Sequence, residues 1–355
     1  MPSTVVFAGK GSSHSWTWIA DFLERIGDHD ARFLETEEFV DSLRKGCEIA
    51  IISGGDGHAI AESLRGPGFR QLKEFISDGG QYVGICAGAY LPLPSSIEPF
   101  NEFNLSTTRI ENIDCAEGRK DDEIPRVSVR YGACSIIHPV RGEVNVSEGD
   151  GEIMAPLYGG PIFKEPSVDN VLLRYRGFGE GAVFQVDQGR AEAMVLGKPA
   201  AVRCAYGDGH LLLLGPHLEH PMYPDANRLL QNLLGIRPNG ARGNKETGKA
   251  PAELARFLAD LKVAATGLEG QSFLVGRKLW DASRFLELVM AIEKRAWHIG
   301  PADVAKVCSD LDKARRIILR TRVGIESDVD EATVLLVGVA RYCVDSHFRL
   351  MVEGR

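Results

Sequence analysis

The chain has 355 residues, 44% hydrophobic and 25% charged, with a formal net charge of −8. This length allows two domains of about 100–200 residues. No run of about 18 uninterrupted apolar residues occurs, which argues against a membrane span, and the acidic balance is unlike that of a nucleic-acid binder.

The charge is uneven. Arg237 to Arg355 hold 20 Lys/Arg against 16 Asp/Glu, or +4, and the remainder carries −12. Seven cysteines, Cys47, Cys86, Cys115, Cys134, Cys204, Cys308 and Cys343, are scattered without a Cys-x-x-Cys. An odd, dispersed set predicts neither a disulfide framework nor a structural zinc site. The start, MPSTVVFAGKGSS, lacks the features of a signal peptide. A reducing, cytoplasmic setting is expected.

In chain order, TVVFA (Thr4–Ala8) reads as a buried strand and SWTWIADFLERIG has apolar residues at helical spacing. EIAIIS is a second strand ending in GGDG. GPGFRQLKEFISDGG reads as a helix closed by glycines, and YVGI as the strand that delivers Cys86. Such alternation predicts an α/β fold whose mostly parallel sheet is covered on both faces, here a flavodoxin-like three-layer sandwich to about residue 236. Ligands bind such sheets at the carboxyl ends of the strands. Both SGGDG and GICAGAY fall there.

From Asn101 to Gly181, RVSVRYG, EVNVS and VLLRY predict inserted antiparallel strands. AVRCAY and HLLLLG, joined by GDG, predict a hairpin. The expected organisation is a first domain over 1–236, a linker over 237–251 and a helical domain over 252–355. Helices are expected at roughly Ala252–Thr266, Lys278–His298, Ala302–Arg322 and Asp328–Glu353. Basic faces near Arg315, Arg316, Arg320 and Arg322 read first as a solvated helix face, and otherwise suit the acidic body or an acidic partner. The tail is expected to dock rather than hang free, covering the Cys86 pocket or building a homodimer.

The chemistry centres on GICAGAY. A cysteine attacks as thiolate, and a helix N-terminus favours that form while offering amides to an oxyanion. A strand-to-helix elbow is sterically tight, which explains Gly84 and Gly88 around Cys86. The glycine loop IISGGDG supplies Gly54 and Gly55 as oxyanion donors, with the Cys86 amide; Asp56 and Ala87 complete the expected pocket set. LLLLGPHLE places His217 at a strand end as general base, with Glu219 to orient it. Trp16 and Trp18 read as packing groups. His58 and His138 are weak candidates, and neither a metal nor a cofactor is expected.

These motifs resemble the class I glutamine amidotransferase-like superfamily, and most closely the amidotransferase-like N-terminal domain of some biotin-protein ligases. The resemblance rests on SGGDG, GICAGAYL, APLYGGPIF followed by VLLRY, and GDGHLLLLGPHLE, across residues 4–236. It implies Cys86 as nucleophile, His217 as base and Glu219 as third member, with Tyr158, Gly159 and Gly160 lining the pocket. Glutamine-hydrolysing relatives carry Gly-His-Gln where this chain has Gly88-Ala89-Tyr90. Their His-Pro-Glu is His217-Leu218-Glu219 here, and His220 is a second candidate base. The Gly-Arg-Gly-Arg stretch of a biotin ligase is absent, so biotin attachment is not predicted. CAGAY also resembles the SAGA elbow of serine dipeptidases.

The leading expectation is a cysteine hydrolase or amidotransferase-type enzyme acting on an amide or related carbonyl of a small-molecule or peptide-like substrate. The alternatives are a catalytically silent binding or regulatory module and a dipeptidase-like thiol peptidase.

Overall fold

The computed structural model describes residues 2–114, 128–131, 134–149, 151–165, 170–237, 249–275, 278–322 and 328–353. Strand β1 (Thr4–Phe7) is followed by α1 (Trp16–Arg25), β2 (Ala31–Leu34), α2 (Thr36–Lys45) and β3 (Ile49–Ile52). Then come α3 (Gly57–Leu64), α4 (Pro67–Ser77), β4 (Gln81–Ile85) and the single turn α5 (Ala87–Tyr90). Helical crossovers let these strands pair in parallel, in the order β2-β1-β3-β4.

Their side chains alternate between two cores. Val5, Phe7, Ala50 and Ile52 pack with α2, α3 and α4. Val6, Ala8, Ile49, Ile51, Val83 and Ile85 pack with α1 and with helices from the C-terminal third. Both faces of this part of the sheet are therefore covered, which is why its strands read as unbroken apolar runs.

The middle of the chain is built from hairpins. A small sheet holds β5 (Ile113–Asp114), β6 (Ser128–Tyr131) and β7 (Cys134–Ile137). The main sheet continues through β8 (Val140–Glu148), β9 (Gly151–Leu157), β10 (Asn170–Phe178) and β11 (Val183–Phe184), then α6 (Gln188–Val195), β12 (Pro199–Tyr206) and β13 (Gly209–Leu214). The sheet is thus not mostly parallel, contrary to the sequence expectation. Four strand pairs are parallel, and five are antiparallel. Short connections such as Gly207-Asp208 force antiparallel pairing, and the inserted hairpins extend the sheet that way.

The expected 199–214 hairpin is present, and its second strand also pairs in parallel with β4, Leu214 opposite Ile85. Leu211 to Leu214 are each 0% exposed, worth at most about 1.5–3 kcal/mol per side chain.

After α7 (Pro224–Leu234), α8 (Ala252–Thr266) follows, then a hairpin of β14 (Ser272–Val275) and β15 (Lys278–Asp281), and finally α9 (Ser283–Arg295), α10 (Pro301–Arg322) and α11 (Val329–Glu353). Most of the expected linker lies outside the described residues. The helix expected from Lys278 instead begins at Ser283, because Lys278–Asp281 pairs with Ser272–Val275.

The tail docks through charge, and Arg315 and Arg316 belong to a face that takes no part in it. Arg315 and Arg316 pair with Asp312 on their own helix. Contact with the body is made by Lys294 and Arg295 on Asp21 and Glu24, by His347 on Glu24, and by Arg341 on Glu35 and Glu38. Asp345 takes a two-pronged bond from Arg32 and accepts the Phe33 amide at 3.0 Å, covering the edge strand β2. Cys134 is disulfide-bonded, its partner outside the described residues, whereas the sequence pointed to no disulfide framework. No helix among the described residues is long and apolar enough to cross a membrane.

Candidate functional site

Cys86 lies between β4 and α5 with φ 53° and ψ −109°, the one non-glycine residue with positive φ among those described. Such backbone costs of order 1–3 kcal/mol and persists only where the surroundings enforce it. The flanking glycines show that enforcement. A Cβ at Gly84 would stand 2.5 Å from the Gly88 carbonyl oxygen, and one at Gly88 would stand 1.9 Å from that of Ile52. The Cys86 amide donates to the Leu214 carbonyl at 2.9 Å, the last rung between β4 and β13. It is therefore not the oxyanion donor expected from the sequence. The amide of Ala87, first in its helical turn, has no intrahelical acceptor.

The same register brings the chain beyond Leu214 alongside Cys86. His217 is held by its amide on the Pro156 carbonyl at 2.8 Å. Its ring hydrogen-bonds the Cys86 sulfur on one side, and its Nδ1 lies 2.7 Å from Glu219 Oε1 on the other. Burial opposes protonation of this imidazole, but the Glu219 carboxylate and Cys86 outweigh it and lift the pKa to about 10. Glu219 is fully buried. Ser53 donates to its Oε1 at 3.3 Å, Ser15 sits 2.8 Å from Ser53, and Ser13 sits 2.7 Å from Ser15. Ser15 precedes α1 but does not cap it; its hydroxyl serves this chain instead.

A cavity of about 270 Å³ opens over Cys86. Gly54, Gly55 and Tyr158 line it. Gly54 admits His217 closely, since a Cβ there would lie 3.0 Å from its Cε1, but its amide is committed to Ser15 Oγ at 3.0 Å. Gly55 faces Ser12 across a short antiparallel bridge. Asp56 is not in the lining; it caps α3 through the His58 and Ala59 amides. Ala87, Gly159 and Gly160 also lie outside the lining. A Cβ at Gly160 would meet the Gly215 carbonyl oxygen at 1.9 Å, so its bareness lets the Tyr158 loop close on the strand leading to His217.

His220 lines the cavity, 4.3 Å from the Trp18 ring, but burial and then the neighbouring His217 push it down to about 4. A neutral imidazole without a carboxylate is a poor general base here. His58 lies outside the lining, 3.6 Å from Glu62.

The sequence reading missed much of the wall: Ser13 and Ser15 after β1, Trp18, Arg141, and the tail residues Trp280, Asp281, Ser283 and Glu287. Trp16 is core, as expected, whereas Trp18 is a wall, its indole donating to Glu287 Oε2 at 3.3 Å. The strand-end rule that singled out SGGDG applies equally to GKGSSHS after the first strand. Among the described residues, no cluster of three His, Cys, Asp or Glu is arranged to hold a metal ion.

Residues 6–101 match the family described as biotin-protein ligase, N terminal, so the resemblance is shown over that segment. It spans β1 to beyond α5 and contains Gly54, Gly55 and Cys86, but ends before His217. No curated protein matches the chain. Among solved structures, it is similar to a mutant of Gan42B, a GH42 β-galactosidase from G. stearothermophilus, at 13% identity and TM-score 0.37, covering 67% of this chain and 31% of that one. A β-galactosidase from Bacillus circulans sp. alkalophilus gives 12%, 0.36, 66% and 31%. The exo-β-1,4-mannosidase Op5Man5 from Opitutaceae bacterium strain TAV5 gives 12%, 0.35, 65% and 34%. The chain thus spans about a third of each, at scores too low for any argument.

Proposed function

We propose that the chain is a cysteine-dependent hydrolase or amidotransferase-type enzyme acting on an amide or related carbonyl, with Cys86, His217 and Glu219 as its catalytic triad. The observation that carries this reading is His217 hydrogen-bonded between the Cys86 sulfur and Glu219, with Cys86 in a strained strand-to-helix turn. On this reading the turn is a nucleophile elbow on the parallel half of a flavodoxin-like sandwich.

An imidazolium at His217 favours the Cys86 thiolate. The sulfur attacks the carbonyl carbon, and the oxygen takes the negative charge facing the Ala87 amide. The tetrahedral intermediate collapses as His217 gives its proton to the departing amine, leaving a thioester. Water then yields a proton to His217 and attacks the thioester, releasing the acid and the free cysteine.

The test is limiting iodoacetamide at pH 6.5 on the native protein, with the adducts mapped by mass spectrometry. Burial pushes Cys47 and Cys343 up to about 12 and raises Cys308, so Cys86 is expected to react far ahead of them. Labelling spread over several cysteines, or led by Cys47, removes the activated nucleophile and leaves a binding module.

A further inference from the structure

Resting on Cys86 as the nucleophile, we propose that the C-terminal wall makes the cavity selective for carbonyl substrates bearing a cationic amine, read by Glu287 and Asp281. The cavity is not built by the first 236 residues alone. The β14–β15 hairpin and the start of α9 bring Trp280, Asp281, Ser283 and Glu287 to face Cys86.

Apart from the histidines, the charged lining consists of Arg141, Asp281 and Glu287. Glu287 accepts one hydrogen bond, from Trp18, and Asp281 accepts the Ser283 amide at 3.1 Å. Neither carboxylate has an ion-pair partner among the described residues. Arg141 is exposed, 5.9 Å from the centre of the Tyr158 ring. His220 is held neutral, and the Cys86–His217 pair carries no net charge as thiolate and imidazolium. The cavity therefore presents half-buried Glu287 and exposed Asp281 against one exposed guanidinium.

Burial raises the Glu287 pKa, the Trp18 bond opposes that rise, and Asp21 adds to it. A half-buried carboxylate short of cations gains most from an ammonium brought beside it. Trp18, Tyr158 and Trp280 supply aromatic faces that favour the same charge. Buried Arg284 stacks 4.1 Å from the Trp280 ring centre but lies outside the lining; burial lowers its pKa to about 10, against weaker support from Asp330 and Asp56.

The test uses three methanethiosulfonates that share one leaving group: methyl (neutral), 2-aminoethyl (cationic) and 2-sulfonatoethyl (anionic). Rates of Cys86 modification are measured by mass on the full chain, each divided by the rate with N-acetylcysteine amide. At a dielectric constant near that of water, one carboxylate about 6 Å away favours the cationic over the anionic reagent by on the order of tenfold, and by more where the cavity excludes water. Glu287→Gln is expected to lower that ratio several-fold, and Glu287→Lys to invert it. A ratio near one or below it in the native chain, or one that both variants leave intact, overturns the proposal. Failure of the neutral reagent to modify Cys86 overturns the nucleophile itself, so the two failures are told apart.

Discussion

Among the described residues, two histidine–carboxylate pairs lie wholly or largely inside the molecule, and the proposed function assigns chemistry to one of them. His217 meets Glu219 at 2.7 Å, and His347 meets Glu24 at 2.9 Å. Glu24 also takes Arg295 and Lys294, and Arg295 continues to Asp21. That group lies between tail and body and is saturated with opposite charge. Among the described residues Glu219 has no second cation and its Oε2 is unpartnered, and the other side of its histidine meets a sulfur that lines a cavity. What separates a structural pair from a reactive one is the third neighbour, not the pair.

The largest expected effect breaks the reactive pair. His217→Asn removes the imidazolium, and Cys86 reverts toward an ordinary thiol, about 1% ionised at pH 6.5. Iodoacetamide labelling of Cys86 should fall about a hundredfold at that pH. His347→Asn should show the reverse, with Cys86 labelling retained and about 1–3 kcal/mol of stability lost on urea unfolding.

Arg295→Ala tests the structural pair more severely. Arg295 is 0% exposed, and its loss leaves Asp21 to Lys294 and Glu24 to Lys294 and His347. Breaking a buried charge network in this way costs about 3–5 kcal/mol.

Acid should find the same weakness. Burial alone would raise Glu24, but His347, Arg295 and Lys294 hold it well below the usual carboxylate range. The stability this depression supplies is complete above the ordinary value of 4.5 and drains away as pH falls toward the lowered folded value. A urea midpoint that falls below pH 4.5 in the native protein, and less steeply in Glu24→Gln, is the expected result.

The smallest effect belongs to Ser53→Ala, which loosens Glu219. One hydrogen bond to a charged group is worth about 1.5–3 kcal/mol, and only part of it reaches the sulfur. Cys86 labelling should slow several-fold, not a hundredfold.

Much of the site was legible because each part is forced locally. Gly84 and Gly88 are demanded by carbonyl oxygens that leave no room for a Cβ, so the tight strand-to-helix turn is written in the sequence. The parallel strands are legible as apolar runs, and the leucine strand leads directly to His217. The antiparallel extension was underweighted, because hairpins contribute many pairs from few residues. The wall from Trp280 to Glu287 was not legible. Its residues fall in an otherwise helical pattern, and only tertiary docking through Asp21, Glu24 and Asp345 brings them to the cavity. Arg315 and Arg316 find Asp312 within their own helix, which fits the solvated face and not docking on the acidic body.

The central claim, that His217 activates Cys86, is tested most directly by the pH profile of Cys86 alkylation in the native protein and in His217→Asn. The folded pKa of His217 is raised to about 10, so its imidazolium holds the thiolate at all lower pH and releases that stabilisation only as pH climbs through that value. The native rate should be nearly flat from about pH 6.5 to 9. The variant's rate should climb about tenfold per unit toward the ordinary thiol value near 8.5 and meet the native rate only in strong base. Superimposable profiles, both rising as an ordinary thiol, would contradict the account.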